Sequence, residues 1–458
     1  MTDIAQTVAK QRDFFRTGAT LPVRFRLEAL DKLRRAIKQY EPQLLQAMHS
    51  DLGKSASEAY MCEVGLTLSE ISHVRSHLRR WARPSLRWTP LTNFPALSQV
   101  RHDPYGVTLI MSPWNYPVLL TLEPLVGALA AGNCACVKPS AYSPATSEVI
   151  ARLIAETFPP EYVTVITGGR QENQTLLDQT FDYIFFTGGV NVGRMVMERA
   201  SRHLTPVTLE LGGKSPVIID RDCHLRLAAR RLAFGKWLNV GQTCIAPDYV
   251  LCHRDVHAQF VTLLKEEIRK MYGERPLQNK DYGKIINDKH FHRLLGLIDE
   301  RKVVMGGEYE AATLRLSPTL LDGVTADDAV MQEEIFGPIL PILEVNNMEE
   351  AFRFIAQRPH PLALYLFSDS ASVQTRFMQG LQFGGGCIND TIMHIASSSM
   401  PFGGVGQSGM GGYHGKDSFL TFTHSKSVVK KFKWLDLPLR YQPYAKWKDW
   451  VIRMFLGK

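Results

Sequence analysis

A cysteine lies in a loop between a helix-like and a strand-like run: Asn239-Val240-Gly241-Gln242-Thr243-Cys244-Ile245-Ala246-Pro247. Loops held by rigid elements carry much of protein chemistry. A thiol there becomes a nucleophilic thiolate when nearby amides or a helix end lower its pKa from about 8.5. A free cysteine can equally be a small buried apolar residue, which is the reading for Cys62, Cys134, Cys136, Cys223, Cys252 and Cys387. Cys134-x-Cys136 has close spacing, but no second cysteine or histidine cluster completes four ligands, so no metal site is expected. Glu210 ends the apolar run Val207 to Leu211 and precedes Gly212-Gly213-Lys214. A carboxylate in apolar surroundings needs a partner or a role. Asn115, in Pro113-Trp114-Asn115-Tyr116-Pro117, carries an amide able to donate to a developing oxyanion, and suits an ordinary turn equally well. Glu333 and Glu334 open Glu333-Glu334-Ile335-Phe336-Gly337-Pro338, which in isolation reads as an exposed acidic turn.

A second kind of chemistry is anion binding. Phe185-Phe186-Thr187-Gly188-Gly189-Val190-Asn191-Val192-Gly193 follows an apolar run and enters a helical one. Glycines let the backbone approach a ligand, and free amides at a helix start favour negative charge. The stretch is neither a GxGxxG fingerprint nor a Walker loop, and a plain tight connection has the same pattern.

These residues need a scaffold. Apolar spacing predicts a helix over 23–50 and a second over roughly 57–82. Prolines 84, 90, 95 and 104 mark 84–104 as an extended excursion. Strand-like runs follow at 106–111, 134–137, 162–166 and 183–186, with helices at 144–157 and 191–203 between them. A second series has strands at 207–211, 215–219, 248–252, 338–345, 363–367 and 386–389, and helices at 222–238 and 255–271. Alternation of this kind implies α/β units with parallel sheets covered on both faces. Val118 to Val137 is apolar but interrupted at Glu123-Pro124 and Asn133, and reads as a buried helix entering a strand rather than a membrane span.

The 458 residues suffice for two to four domains at roughly 150 residues each. With 45% hydrophobic and 21% charged residues, the chain reads as globular. Its net charge of +8 is dispersed, and no nucleic-acid motif accompanies it, so no nucleic-acid partner is expected. Seven cysteines without a framework spacing, and a polar start without a signal-peptide core, predict a reducing, cytoplasmic setting.

Taken in order, Pro113-Trp114-Asn115-Tyr116-Pro117, Lys138-Pro139-Ser140, Phe186-Thr187-Gly188, Glu210-Leu211-Gly212-Gly213-Lys214, Gly241-Gln242-Thr243-Cys244, Glu334-Ile335-Phe336-Gly337-Pro338 and Pro401-Phe402-Gly403-Gly404 resemble the aldehyde dehydrogenase superfamily. The resemblance covers nearly the whole chain. The short N-terminus, Phe14-Phe15-Arg16-Thr17-Gly18, Asp51-Leu52-Gly53-Lys54-Ser55, Cys244-Ile245-Ala246-Pro247-Asp248-Tyr249 and the 34 residues separating Glu210 from Cys244 are similar to its class 3 branch of fatty and aromatic aldehyde dehydrogenases.

The resemblance implies a Rossmann-like cofactor domain (1–83 and 105–208), an α/β catalytic domain (209–400), and a bridging oligomerisation region with a tail (84–104 and 401–458) that pairs two copies as a homodimer. It implies NAD or NADP as cofactor and oxidation of a medium- or long-chain aliphatic or aromatic aldehyde to the acid. Cys244 would attack the aldehyde, Asn115 and the Cys244 N–H would hold the oxyanion, and Glu210, with Glu333 as a second base, would activate the hydrolytic water. Gly188, Gly189, Val190, Asn191, Val192 and Gly193 would line the cofactor, with Trp114, Lys138, Ser140, Glu334 and Phe336 as further contacts. Transfer of the acyl group to CoA is the alternative reaction, disfavoured by the presence of Glu210, and a noncatalytic scaffold is a further one. A common glutamate three residues after the matched lysine is here Ala141, which puts strict NAD preference in doubt. Trp447, Trp450, Val451, Met454 and Phe455 fall near helical spacing beside Lys446, Lys448 and Arg453. That pattern suits packing on the protein itself or a peripheral membrane contact.

Overall fold

A computed structural model describes residues 3–456. The alternating apolar runs assemble into two parallel-dominated sheets. The first has the order Gly409–Met410, Val207–Leu211, Tyr183–Gly188, Val107–Met111, Cys134–Lys138, Val163–Val165, and only its first strand is antiparallel. Val107–Met111 and Cys134–Lys138 are buried at every position, as strands covered on both faces must be. The second sheet runs Val303–Met305, Thr319–Leu321, Ile339–Val345, Pro247–His253, Ser215–Ile219, Ala363–Phe367, Gly385–Ile388, again with one antiparallel edge at Val303–Met305.

Helix Val23–Leu52 turns Leu30, Leu33, Ile37, Leu44 and Met48 into the core, so its apolar spacing is its packing face. Helix Leu119–Ala131 is buried along its whole length and stops at Gly132, whose φ of 97° places it in the left-handed region. Strand Cys134–Lys138 follows, so the apolar stretch is a core helix and a core strand. Among the described residues no helix is long and apolar enough to cross a membrane.

The helix expected over 57–82 is not uniform. Ala56–Ala59 and Gly65–Trp81 are α-helical, and Tyr60–Val64 between them is a π turn. A π turn inserts a residue and re-aims its neighbours, which hydrophobic spacing does not reveal. The proline-rich excursion contains Ser85–Arg87 and Ala96–Pro104, and Ala96–Pro104 is the middle strand of a separate three-stranded antiparallel sheet, between Ser85–Arg87 and Thr423–Lys431. The chain passes from the first large sheet to the second through Gly212–Lys214, and Gly409–Met410 returns to the first. Helix Lys446–Leu456 leaves Trp447, Trp450, Met454 and Phe455 exposed.

Candidate active site

The Cys244 loop is held tightly. Helix Leu225–Trp237 ends, and the backbone of Asn239, Val240 and Gly241 then runs through the left-handed region at φ 51°, 56° and 73°. Such a conformation costs on the order of 1–3 kcal/mol at each non-glycine residue, so the surroundings must impose it. They do so through buried hydrogen bonds. Asn239 N–H donates to Glu58 Oε1 at 2.8 Å, and Asn239 Nδ2 donates to the carbonyls of Asn115 at 2.8 Å and Gln242 at 3.0 Å. Gln242 is fully buried, donating to Lys284 O at 3.0 Å and accepting from Ile286 N–H at 3.0 Å. At Gly241 an added Cβ would lie 2.2 Å from Gly337 O, so this crossing requires glycine. The Tyr116 and Thr243 hydroxyls are 2.7 Å apart, and Tyr365 donates to Ile245 O at 2.6 Å.

Cys244 is partly exposed and lines a cavity of about 230 Å³ shared with Glu210 and Thr187. Most of the remaining wall is apolar, including Met61, Leu119, Leu120, Phe234, Ile392 and Phe402. Burial, reinforced by Glu334 and Glu210, pushes the Cys244 thiol up to about 12, partly offset by the amides of Cys244 and Ile245. Glu210 sits in strand Val207–Leu211, beside Thr187 of the neighbouring strand. Burial raises its pKa well above the ordinary carboxylate value. Neither Glu210 oxygen has a hydrogen-bond partner among the described residues, and nor does Thr187 Oγ1. Unpartnered buried oxygens of this kind suit a group that must take up a proton from something entering the cavity.

Asn115 does not line that cavity. It is buried one residue from Tyr116, which does, and its Nδ2 donates to Gln242 O at 3.0 Å. Glu333 is not brought to Cys244 either. Its exposed carboxylate accepts from Arg293 at 2.9 Å, because the turn directs consecutive side chains differently and Arg293 holds this one outward. Glu334, by contrast, is pushed up to about 8, by burial first and Asp248 second, and its Oε1 has no partner among the described residues.

Glu333, Glu334, Gly212, Gly213 and Val190 line a separate, more polar cleft of about 540 Å³. Glu210 and Gly212 are two residues apart, so the edge of one strand borders both spaces. At Gly212 a Cβ would lie 2.2 Å from Glu334 Oε2, so glycine lets the carboxylate reach the cleft wall. Gly189 precedes helix Val190–Ser201, and a Cβ there would meet nothing within 4 Å, leaving open space above the helix start. Asn191 and Val192 are exposed in the first turn, whereas Gly193 is buried against Leu211. Gly188, at the strand end, is packed under the Phe186 ring. Amides at a helix start, together with a buried carboxyl group that has one unpartnered oxygen, are groups able to hold the phosphates and hydroxyls of a dinucleotide.

Further along, Lys138 Nζ donates to Pro139 O at 2.8 Å and Gly168 O at 2.7 Å, and burial lowers it to about 8. Ser140 Oγ accepts from Tyr142 N–H at 3.2 Å, and Ala141 is exposed beside it. Trp114 meets Phe336 edge-on, with ring centroids 5.4 Å apart, and lies equally close to His290. Phe336 adopts φ 49°, an uncommon conformation for an aromatic residue. Sequence reasoning gave no individual role to Thr187, Tyr116, Thr243 or His290, and did not place the apolar wall, which gathers residues 61 to 413. The Tyr116 and Thr243 motifs were visible, but their pairing was not.

The aldehyde dehydrogenase family model matches residues 1–428. The chain is similar to 4,4'-diaponeurosporen-aldehyde dehydrogenase of Staphylococcus aureus (strain NCTC 8325 / PS 47), 50% identical over 446 residues, covering 97% of each chain. It is 46% identical over 453 residues to aldehyde dehydrogenase family 3 member A2 of Mus musculus, covering 98% of this chain and 94% of that one. Its fold matches the substrate-bound state of Staphylococcus aureus AldH with a TM-score of 0.98, at 49% identity and 100% coverage of both. With relatives in the class 3 branch, this chain belongs to the aldehyde dehydrogenase family and is an oxidoreductase of aldehydes that uses NAD or NADP.

Proposed function

We propose that this aldehyde dehydrogenase converts medium- or long-chain aliphatic, or aromatic, aldehydes to carboxylic acids with Cys244 as nucleophile. The observation that carries the reading is the shared cavity of Cys244 and Glu210, whose walls are otherwise mostly apolar. At about 30 Å³ per water-sized group, 230 Å³ holds roughly seven heavy groups in all, the aldehyde carbon and oxygen among them. A longer chain would continue out of the cavity. The Staphylococcus aureus relative named as a 4,4'-diaponeurosporen-aldehyde dehydrogenase supports an aldehyde substrate at this site.

The Cys244 thiolate attacks the carbonyl carbon, giving a thiohemiacetal whose oxyanion is held by the Cys244 N–H and the Asn115 amide. When bound, the oxidised nicotinamide ring supplies a hydride acceptor. Glu334, Lys138, Ser140, Trp114, Phe336 and the Gly188–Gly193 turn would hold that cofactor. Loss of hydride leaves a thioester on Cys244. Glu210 then takes a proton from water as the water adds to the thioester carbon, and the C–S bond breaks to release the acid. Glu210 on the cavity wall supports water as acceptor, in preference to CoA. An aldehyde panel monitored at the reduced-nicotinamide band, with and without CoA, tests this. Reduction that requires CoA, or is confined to small polar aldehydes, would overturn it.

Ala141 supports use of NADP alongside NAD, because no carboxylate stands there to repel a ribose phosphate. A homodimer formed through the three-stranded sheet is the proposed assembly. A cytoplasmic protein touching a membrane surface through its tail is the proposed location. The exposed aromatic residues of helix Lys446–Leu456 support the latter.

A further inference from the structure

Behind the cavity wall lies an ion pair that takes no part in the chemistry above. Lys54 and Glu63 are both buried, with Lys54 Nζ 2.5 Å from Glu63 Oε1. Isolated burial of such a pair is weak evidence for stability, since the desolvation cost can exceed the mutual attraction. What distinguishes this pair is where its remaining hydrogen bonds go.

Lys54 Nζ also donates to the Asn115 carbonyl at 2.8 Å and sits 4.0 Å from the centre of the Tyr116 ring. The other Glu63 oxygen accepts from Val118 N–H at 2.8 Å and Leu119 N–H at 3.2 Å. Helix Leu119–Ala131 has no side-chain cap of its own at Val118, so Glu63 satisfies backbone donors at its start. One ion pair therefore clamps both ends of the segment from Asn115 to Leu119. The second acceptor position of the Asn115 carbonyl is taken by Asn239 Nδ2 at 2.8 Å. With its carbonyl fixed from two directions, the Asn115 peptide has little freedom to rotate, and its side chain is held against Gln242 O. Tyr116, between the clamps, reaches Thr243 beside Cys244.

The π turn Tyr60–Val64 makes this arrangement possible. It carries Cys62 on the cavity wall and, one residue later, buries Glu63 beneath Val118. We propose that Lys54 and Glu63 are positioning residues for the first chemical step: they set the Asn115 amide relative to the Cys244 loop without touching substrate or cofactor. The proposal rests on the reading of Asn115 as an oxyanion donor.

A double-mutant cycle between Lys54→Met and Asn115→Ala tests it, read as the single-turnover rate of reduced-nicotinamide formation. Lys54→Met keeps the stem and removes the charge and donors. Oxyanion donors contribute about 10²–10³ in rate, and misplacing one should forfeit roughly 10- to 100-fold. The aldehyde KM and cofactor Kd should change less than about threefold, since that donor acts chiefly in the transition state. In the Asn115→Ala background, Lys54→Met should cost less than about twofold. Lys54→Arg, which retains charge and donors, should recover part of the loss. Where Lys54→Met does not fold by circular dichroism, Glu63→Gln, neutral and nearly isosteric, carries the same cycle. Additive losses, or a normal rate in the folded Lys54 or Glu63 variant, would overturn the positioning role. If Asn115→Ala alone leaves the rate unchanged, the oxyanion reading itself falls.

Discussion

The Asn115 side-chain amide donates to the Gln242 carbonyl at 3.0 Å, tying the candidate oxyanion donor to the loop that bears Cys244 two residues later. An amide has two N–H bonds, and this contact employs one of them. Asn115→Ala removes both the anchor and the free donor. It should slow the first hydride transfer by roughly 10²–10³, measured by stopped-flow absorbance with the aldehyde in excess.

Cys244→Ser should abolish turnover while cofactor affinity, followed by fluorescence titration, stays near that of the unsubstituted enzyme. The thiol, pushed up to about 12 by burial and two nearby carboxyl groups, is mostly protonated at neutral pH in the cofactor-free protein. Only the thiolate is alkylated. Iodoacetamide labelling of Cys244 in the cofactor-free protein should therefore accelerate about tenfold per pH unit from 7 to 9. A rate already flat across that range would contradict the raised pKa.

Glu210→Gln should spare the first hydride transfer and slow hydrolysis of the thioester, giving a burst of reduced cofactor followed by a slow steady state. Because burial raises the Glu210 pKa, the proton-accepting form is scarce at low pH and grows as pH rises. Steady-state turnover should therefore increase from neutral to alkaline pH, and Glu210→Gln should lose that rise. Glu333 faces Arg293 away from the cavity, so Glu333→Gln should leave the burst and its slow phase unchanged in either background.

Ala141→Glu should move cofactor preference toward NAD. Two like charges about 4 Å apart cost on the order of 1 to 4 kcal/mol between bulk water and a protein-surface dielectric. The ratio of catalytic efficiencies for NADP and NAD reads this directly. The unsubstituted enzyme should use both, and a strong preference for NAD as it stands would assign the choice to another residue.

A truncation after Leu439 removes helix Lys446–Leu456 with its exposed Trp447 and Trp450, which are 54% and 65% accessible. Full-length protein should float with vesicles containing anionic lipid, and the truncated form should not. Failure of both forms to float would reject the membrane contact.

Much of the fold was legible because hydrophobic periodicity is local. The helix expected over 144–157 is Pro144–Thr157, and the strand expected over 363–367 is Ala363–Phe367. Each reflects which faces a short segment must bury, and that is written in neighbouring residues. The π turn at Tyr60–Val64 was not legible, because its extra residue follows from how Glu63 meets Val118 and Leu119, 55 and 56 residues away.

The motifs named Cys244, Glu210 and Asn115 from order and residue type alone, but the tertiary structure gave them different surroundings. Glu210 lines the cavity from the strand that pairs with Tyr183–Gly188, whereas Asn115 is buried beside Tyr116 with its amide anchored on the Gln242 carbonyl. Glu333 and Glu334 are equivalent as sequence. Arg293 draws one outward, while Gly212 makes room for the other in the cleft. Sequence by itself determined the chemical groups and the elements bearing them. Which groups meet was decided by packing and hydrogen bonds between distant segments, such as Glu58 with Asn239 across 181 residues, because burial and direction arise only when those segments close on one another.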